Sequence, residues 1–323
     1  MKDICVFDTS IASTNIGDQI IMESFYKEMK DIIDDGYCIK IATHQPLCHN
    51  YQDIKRNPLI RHLHNCDYKF IGGSNIVLKN MFLPLTQWNI NLFNCSGYKN
   101  SVLVGCGLFP NSKRLNLYTK IFYKKVLSKK YIHSVRDEAA KAFLEKMGFK
   151  AINTGCPTIW SINDELCKSI PTKKNKDVIF TLTDYAKDYK YDADFVKILK
   201  SNYEKIYFFP QGIEDLEYLQ EISSIDDIVI LPSDLKAFDE FLDNNSIDYV
   251  GTRLHAGIFA IKHKIRSIII AIDNRTRDMK KSYNLNCIER NDIKLLEQVL
   301  NAPIVTNIKI DKEKIEEFKK QFK

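Results

Sequence analysis

The 323-residue chain predicts a doubly wound α/β fold, in which helices cover both faces of parallel sheets. Short apolar runs alternate with amphipathic helical stretches along nearly the whole length. Several of these runs are apolar on both faces, as covered parallel strands require. At about 150 residues per domain, the length suggests roughly two domains. Hydrophobic residues make up 45% and charged residues 27% of the chain, which excludes a disordered or fibrous protein.

Ten apolar runs are predicted as strands. The first follows Met1-Lys2-Asp3 directly, without the features of a secretory signal, and no run approaches the ~18 apolar residues of a spanning helix. Helical stretches lie between the runs, for example over 137–147, 194–202 and 254–262. The predicted strands are 4–7, 38–42, 68–71, 101–104, 131–135, 178–182, 205–209, 228–231, 249–250 and 267–272.

A domain boundary is predicted near the middle of the chain. Residues 156–176 contain Pro157, Pro171 and the polar run 172–176, a composition typical of a linker. We therefore expect an N-terminal domain over 1–160, a linker over 161–174 and a C-terminal domain over 175–323, with a cleft between the two domains. In sheets of this kind, ligands bind at the carboxyl ends of the strands.

Charge and cysteine content limit the location and the partners. The net charge is 47 − 41 = +6, and the nine cysteines form no CxxC pair, which favours reduced thiols and a cytoplasmic location. The lysine clusters are interpreted either as solvated faces or as sites for an anionic partner, such as a phosphorylated substrate or the inner membrane surface. Lysines and apolar residues alternate in the tail 311–323, which predicts a helix packed on the body or lying peripherally on that membrane surface. No nucleic-acid-binding motif is present.

Two glycine-containing segments follow predicted strands and are candidate substrate sites. Asn15, Gly17 and Asp18 open a helix, where they cap it or contact a ligand. Gly73 and Ser74 follow the third strand, and their loop forms a plain turn or offers backbone N–H groups to an anion or a sugar.

Basic groups follow three further strands. Arg136 ends the fifth run, Arg253 and His255 follow the run at 249–250, and Arg275 follows the last run. Arginine donates two parallel hydrogen bonds to a carboxylate or phosphate, and histidine titrates near neutral pH. Helix capping or surface pairing is the alternative, but three arginines and a histidine at strand ends together predict an anion site.

No metal site and no cofactor are predicted. The pattern His62-x-His64-x-Cys66, with Cys48-His49 nearby, lacks a recognised zinc spacing. Walker, GxGxxG and GxSxG motifs are missing from the sequence.

The motifs, taken in order, resemble the polysaccharide pyruvyl transferase family over roughly residues 12–290. They are Asn15-x-Gly17-Asp18, Gly72-Gly73-Ser74, Ser134-Val135-Arg136-Asp137, Gly155-Cys156-Pro157 and Gly251-Thr252-Arg253-Leu254-His255. The resemblance implies a GT-B-like fold of two Rossmann-like domains facing across a cleft, the N-terminal one on the acceptor side and the C-terminal one on the donor side. It also implies transfer of a pyruvyl group from phosphoenolpyruvate to two hydroxyls of a sugar, forming a cyclic ketal, in the biosynthesis of cell-surface polysaccharides such as capsule and exopolysaccharide.

The same resemblance assigns roles to individual residues. It places Arg136 and His255 at the donor, and the family's third basic residue falls on Arg275 in Asp273-Asn274-Arg275. Arg253 is a further candidate contact for the phosphate or carboxylate. We expect His255 to act as general acid or as a phosphate contact, because its ordinary pKa of ~6.5 makes both protonation states accessible.

The acceptor is expected on the other motifs. Asp18 is the candidate for steering or deprotonating an acceptor hydroxyl, and Asn15, Gly17, Gly73 and Ser74 are expected to bind substrate. The expected acceptor is a sugar, either free or part of a lipid-linked oligosaccharide. The chain departs from the family pattern at Ser74, Cys156 and Asn274, which leaves room for an altered activity.

Two other functions remain open from the sequence. A GT-B glycosyltransferase that uses a nucleotide sugar would have the same two domains and would also need positive groups. A non-catalytic sugar-binding subunit of a polysaccharide assembly complex would explain the departures from the family pattern.

Overall fold

A computed structural model describes residues 1–47, 56–82, 88–109 and 114–323, and the chain forms two compact units. The first unit contains Met1–Ser13, Ile21–Ser161 and Asp311–Lys323, and the second contains Thr14–Ile20 and Ile162–Ile310. Cys48 and His49, from the rejected zinc pattern, lie outside the described residues.

The first unit is built on parallel strands. The strands β1 (Lys2–Asp8), β2 (Gly36–Ala42), β3 (Tyr68–Gly72) and β4 (Val102–Val104) form a sheet in the order β2-β1-β3-β4, and β5 (His133–Val135) pairs with β6 (Ala151–Asn153). Residues 4–8 of β1 are buried, so the run at 4–7 is apolar because both faces of the strand are covered. The described helices of this part are α1 (Ile16–Glu28), which begins in the second unit, α2 (Lys30–Ile33), α3 (Pro58–Asn65), α4 (Leu117–Val126) and α5 (Glu138–Lys146).

The second unit contains one six-stranded parallel sheet in the order β12-β11-β10-β7-β8-β9. Counted within the unit, this is the 3-2-1-4-5-6 order of Rossmann folds, whose switch point lies between β7 and β10. Its strands are β7 (Val178–Thr181), β8 (Ile206–Phe208), β9 (Ile228–Ile230), β10 (Asp248–Gly251), β11 (Ser267–Ala271) and β12 (Cys287–Glu289). Its helices are α6 (Asp164–Ser169), α7 (Tyr189–Asn202), α8 (Asp215–Ile222), α9 (Leu235–Asn244), α10 (Leu254–Lys262), α11 (Asn274–Tyr283) and α12 (Leu296–Asn301).

The carboxyl-terminal segment forms helix α13 (Lys312–Lys320) and belongs to the first unit. Its apolar side chains Ile315 and Phe318 are buried, as is Phe322 just beyond the helix. The prediction of a helix packed on the body is confirmed. The side chains that would have entered a membrane in the alternative interpretation are covered by protein instead.

The compact units differ from the predicted domains in two segments. Residues 311–323 were predicted to end the C-terminal domain, but Phe322 packs on Tyr68 and Phe70 of the first unit. Residues 14–20 were predicted in the N-terminal domain, but they belong to the second unit, where Asn15 bonds to Gln211. The change of unit between Ser161 and Ile162 falls at the start of the predicted linker.

All ten predicted strands are present, and the structure adds β6 and β12. Each added strand has three residues, all half-buried, so neither carries the apolar run that marked the others. In the part of the chain that the structure describes, none of the helices combines the length and apolar character needed to cross a bilayer.

Candidate functional site

The predicted site residues lie beyond the carboxyl ends of strands in each unit. In the first unit, the loops after β3, β4 and β5 carry Ser74, Gly107 and Arg136. In the second unit, Arg253 and Arg275 follow β10 and β11. Parallel strands bring such loops to one edge of a sheet, so each unit has its own cluster of polar groups.

In the first unit, Arg136 is placed by the loops after β3 and β4. Its Nη2 donates to Asn75 Oδ1, and its side chain is nearly buried, with a residue exposure of 8%. A Cβ on Gly107 would lie 2.4 Å from Arg136 Nε and 2.6 Å from Asn75 Oδ1, so a larger residue there would displace this pair of side chains. Asp137 caps α5 by accepting from Ala140 N at 2.7 Å, so the residue beside Arg136 has a structural role.

The loop after β3 turns sharply through two left-handed residues. Gly73 and Ser74 both have a φ of +61°, and a Cβ on Gly73 would lie 2.2 Å from Ile21 Cγ2. Ser74 therefore holds a conformation that non-glycine residues rarely adopt, and such strain is concentrated at functional sites. Gly107 N donates to Ser74 O at 2.9 Å, which ties this loop to the one after β4.

In the described part of the first unit, the charge of Arg136 is not compensated by an acidic side chain. Among the described residues, no carboxylate lies within ion-pair distance of its guanidinium, and Asn75 is neutral. A nearly buried cation without a carboxylate partner is suited to bind an anion, because the ligand then supplies the missing charge.

Arg253 is held differently, by acidic residues of its own unit. Its Nη2 donates to Asp184 Oδ1 at 2.9 Å and also to Asp215 Oδ1, while its Nε donates to Leu182 O at 2.9 Å and to Asp215 Oδ2 at 3.1 Å. Its exposure is only 3%. Burial lowers the pKa of Arg253, but the charge and hydrogen bond of Asp215, together with the charges of Tyr185 and Asp184, outweigh this and raise the pKa overall. The predicted phosphate contact is thus already satisfied by protein carboxylates.

Asp215, which was not predicted from the sequence, organises this cluster. Its Oδ2 accepts from Gln211 N at 3.0 Å and from Gly212 N at 2.7 Å, and its Oδ1 accepts from Asp184 N at 3.0 Å. The available signal was the segment Pro210-Gln211-Gly212 after the apolar run 205–209, with an acid in the first turn of the next helix.

Arg275 approaches the same cluster through Tyr185. Its Nη2 donates to Tyr185 Oη at 2.7 Å, and its Nε donates to Asp273 Oδ2 at 2.7 Å. The Tyr185 ring also lies under the Arg253 guanidinium, with 5.0 Å between Cζ and the ring centroid. Asp273 caps α11, accepting from Arg275 N at 2.9 Å, so its own role includes capping. Tyr185, also missed from the sequence, connects the two arginines.

His255 and the Asn15 segment are the remaining predicted site residues of the second unit. His255 lies in the first turn of α10 and is buried. Asn15 Oδ1 accepts from Gly17 N and from Gln211 Nε2, both at 2.9 Å. A Cβ on Gly17 would lie 2.7 Å from Gln211 Nε2, and Asp18 follows in the first turn of α1. These contacts attach the Asn15-to-Asp18 motif to the loop after β8.

Neighbouring cysteines, histidines and acids do not form a metal centre in the described ranges. No group of three or more of these side chains there could hold a metal ion.

Comparison with known families assigns the chain. The family model for polysaccharide pyruvyl transferase matches residues 15–274, which is most of the chain. The chain belongs to the polysaccharide pyruvyl transferase family. The match begins at Asn15 and includes the motifs around Arg136 and His255 that predicted this family. No curated protein matches this pyruvyl transferase family member in sequence.

Solved structures with the same fold are distant in sequence. The UDP-GlcNAc 2-epimerase of Methanocaldococcus jannaschii, solved with UDP-GlcNAc and UDP, is similar with a TM-score of 0.55 and 14% identity over 99% of each chain. The S. aureus MnaA–UDP co-structure has a TM-score of 0.52 and 15% identity, covering 98% of this chain and 94% of that one. At these identities the similarity shows the fold alone, and that fold is GT-B-like, as predicted.

Proposed function

We propose that this protein transfers the pyruvyl group of phosphoenolpyruvate to two hydroxyls of a sugar, forming a cyclic ketal during the assembly of a cell-surface polysaccharide. The family match supports the reaction class. The observation that carries the donor is Arg136, a nearly buried cation placed by Asn75 and Gly107 without a carboxylate partner among the described residues. Phosphoenolpyruvate brings the carboxylate and phosphate that such a group binds.

The proposed reaction needs a proton donor for carbon and cationic groups for the carboxylate and phosphate of the donor. A proton added to the methylene carbon of the donor makes the adjacent carbon an oxocarbenium-like centre, which the first sugar hydroxyl attacks. The bond from that carbon to the phosphate oxygen breaks, and the second hydroxyl closes the ketal. Of the two hydroxyl protons, one balances the proton given to carbon and the other leaves with phosphate. The reaction requires no cofactor.

His255 is the proposed general acid or phosphate contact, and Arg275 is the proposed second cation at the donor. Arg275 fits this role better than Arg253 because its side chain is 27% exposed, against 2% for Arg253. We reassign Arg253 as a positioning residue, since Asp184 and Asp215 already hold its guanidinium. Its function is to fix the loops after β7, β8 and β10.

For the acceptor, Asp18 is the proposed residue that steers or deprotonates a hydroxyl. Asn15 and Gly17, which stand beside it, and Gly73 and Ser74 in the first unit are the proposed sugar contacts. A lipid-linked oligosaccharide is an acceptor of the expected class.

Thermal unfolding with and without millimolar phosphoenolpyruvate tests the donor. A ligand at a hundred times its Kd adds about 2.7 kcal/mol, which raises the melting temperature of a chain this long by a few degrees. We expect the shift to disappear in Arg136→Gln and to weaken in His255→Ala. Arg61→Gln, at an exposed arginine of the same unit, should keep it.

The same experiment separates the alternatives when UDP-sugars are added as rival ligands. A shift with a UDP-sugar and none with phosphoenolpyruvate would support a glycosyltransferase. Release of inorganic phosphate from phosphoenolpyruvate in the presence of a sugar acceptor, lost in His255→Ala, distinguishes an enzyme from a non-catalytic sugar-binding subunit.

A further inference from the structure

A basic cavity of about 880 Å³ lies in the first unit, away from the proposed substrate residues. It is found at the amino-terminal ends of β3, β4 and β5, whereas Ser74, Gly107 and Arg136 follow the carboxyl ends of the same strands. Six lysines line it: Lys69, Lys99, Lys124, Lys125, Lys129 and Lys130. We call this surface, together with the outer side of α4, the basic face.

The lysines of the basic face have no acidic partners in the described part of the chain. None of the six forms an ion pair there, whereas lysines elsewhere do, such as Lys187 with Glu221 and Lys200 with Asp227. The one acid in the lining, Asp67, accepts from Asp3 N at 2.8 Å. Lysines that lie close together without acidic partners give this face a positive potential, and that potential attracts a polyanion.

Apolar side chains are exposed beside these lysines. Phe93 lines the same cavity and is 83% exposed. On α4, Leu117 and Ile121 lie one turn apart on the same side of the helix and are 72% and 44% exposed. The next turn on that side carries Lys124 and Lys125. The loop of Phe93 is joined to α4 because Leu92 N donates to Tyr118 Oη at 3.1 Å.

We propose that the basic face docks the protein on an anionic lipid bilayer. Lys69 is buried and its Nζ donates to Leu63 O at 2.6 Å, so it forms the floor of the cavity. The other five lysines are exposed and would lie against phosphate headgroups, and Phe93, Leu117 and Ile121 would enter the boundary between headgroups and acyl chains. A free phosphate or a soluble phosphorylated sugar would use the lysines but would leave the three apolar side chains in water. The combination of both features therefore favours the bilayer.

This assignment is independent of the donor proposal. The five exposed lysines precede β4 or β5, and Lys69 is the second residue of β3, whereas the donor residue Arg136 follows β5. The two groups therefore occupy opposite edges of the first unit's strands. Charge reversal on the basic face should weaken membrane binding and leave the melting shift with phosphoenolpyruvate unchanged. Failure of one proposal is thereby distinguishable from failure of the other.

Vesicle sedimentation tests the docking. The full chain is mixed with vesicles of phosphatidylcholine alone or with added phosphatidylglycerol, at low and at high salt. We expect binding only to the phosphatidylglycerol vesicles, weakened by salt. Lys124→Glu/Lys125→Glu/Lys129→Glu should lower the partition coefficient about tenfold or more. Phe93→Ser should also lower it while leaving the salt dependence in place.

A matched charge control uses exposed lysines of the second unit. Lys173→Glu/Lys281→Glu/Lys294→Glu changes the net charge by the same amount and should keep most of the binding. Equal loss in both triple variants would show a net-charge effect and overturn the proposal, as would equal binding to both vesicle types. Stabilisation by inorganic phosphate without vesicle binding would assign the face to a soluble anion instead.

Discussion

At the scale of single residues, the partners of each arginine decide what it can do. Arg136 is oriented by a neutral amide and keeps its charge for an anion, whereas Arg253 contacts Asp184 and Asp215. The two residues have the same side chain and comparable positions after a strand. Only the neighbouring carboxylates separate a proposed donor contact from a residue that positions loops.

Asp215→Asn should strongly destabilise the second unit. Oδ2 of Asp215 accepts from Gln211 N, Gly212 N and Arg253 Nε, and Oδ1 accepts from Asp184 N. Asparagine replaces one of these two oxygens by an amide nitrogen, which cannot accept a hydrogen bond in either orientation of the side chain. The buried guanidinium of Arg253 would also lose a compensating charge. We expect a loss of about 3–5 kcal/mol in the free energy of unfolding, measured by urea denaturation.

The control for this variant is Asp226→Asn, at an exposed acid of the same unit. It should change the free energy of unfolding by no more than about 0.5 kcal/mol. An Asp215→Asn protein as stable as this control would contradict the positioning role of the Arg253 cluster.

At the scale of elements, side chains of β5 hold it beside β4. Leu103 N donates to His133 Nδ1 at 3.1 Å, and Gly105 N donates to Ser134 Oγ at 2.9 Å. Ser134 Oγ also bonds to Thr154 Oγ1 at 2.6 Å. Ser134, the first residue of the motif that contains Arg136, therefore has a structural role: it helps to hold the strand from which Arg136 projects.

Stability should fall below neutral pH because His133 must stay neutral. Burial lowers the pKa of His133 from 6.5 to about 4, and its Nδ1 accepts while its Nε2 bonds to Ser128 O. The unfolded chain takes up the proton first, so this stabilisation is complete above pH 6.5 and is lost as the pH falls towards 4. A depression of this size corresponds to about 3 kcal/mol.

Urea denaturation between these pH values measures the effect. His133→Gln should remove this part of the pH dependence, at a lower stability overall, whereas His64→Gln, at an exposed histidine, should keep it. An unchanged slope in His133→Gln would assign the pH dependence to other groups.

At the scale of the whole molecule, the chain ends in the unit where it began. The ring of Phe322 lies 4.9 Å from that of Phe70 and 5.2 Å from that of Tyr131, measured between centroids. Gln321 exchanges two hydrogen bonds with the backbone of Ile132, which precedes β5. The tail therefore completes the core around β3 and β5.

Phe322→Ala should lower the free energy of unfolding by about 3–5 kcal/mol, because it leaves a cavity against Phe70 and Tyr68. Chemical denaturation measures this loss. Phe93→Ala removes the same ring from an 83% exposed position and should change stability little. Equal stability of the two variants would show that the tail contributes nothing to the first unit.

The strands and the family motifs of this protein could be predicted from local patterns in its sequence. Apolar runs predicted ten strands and their parallel arrangement, because a strand covered on both faces is apolar at consecutive positions. The ordered motifs predicted the family that the comparison found. The short strands β6 and β12 escaped prediction because half-buried strands of three residues carry too little apolar signal.

The tertiary structure alone decided which charges are compensated and which unit each segment joins. Arg253 meets Asp215, 38 positions away, and Asp184, 69 positions away, and no local pattern encodes such pairs. The tail reaches Tyr68 across 254 positions. Hydrophobic periodicity reports how a residue relates to its sequence neighbours, whereas ion pairing and core completion depend on residues that only folding brings together.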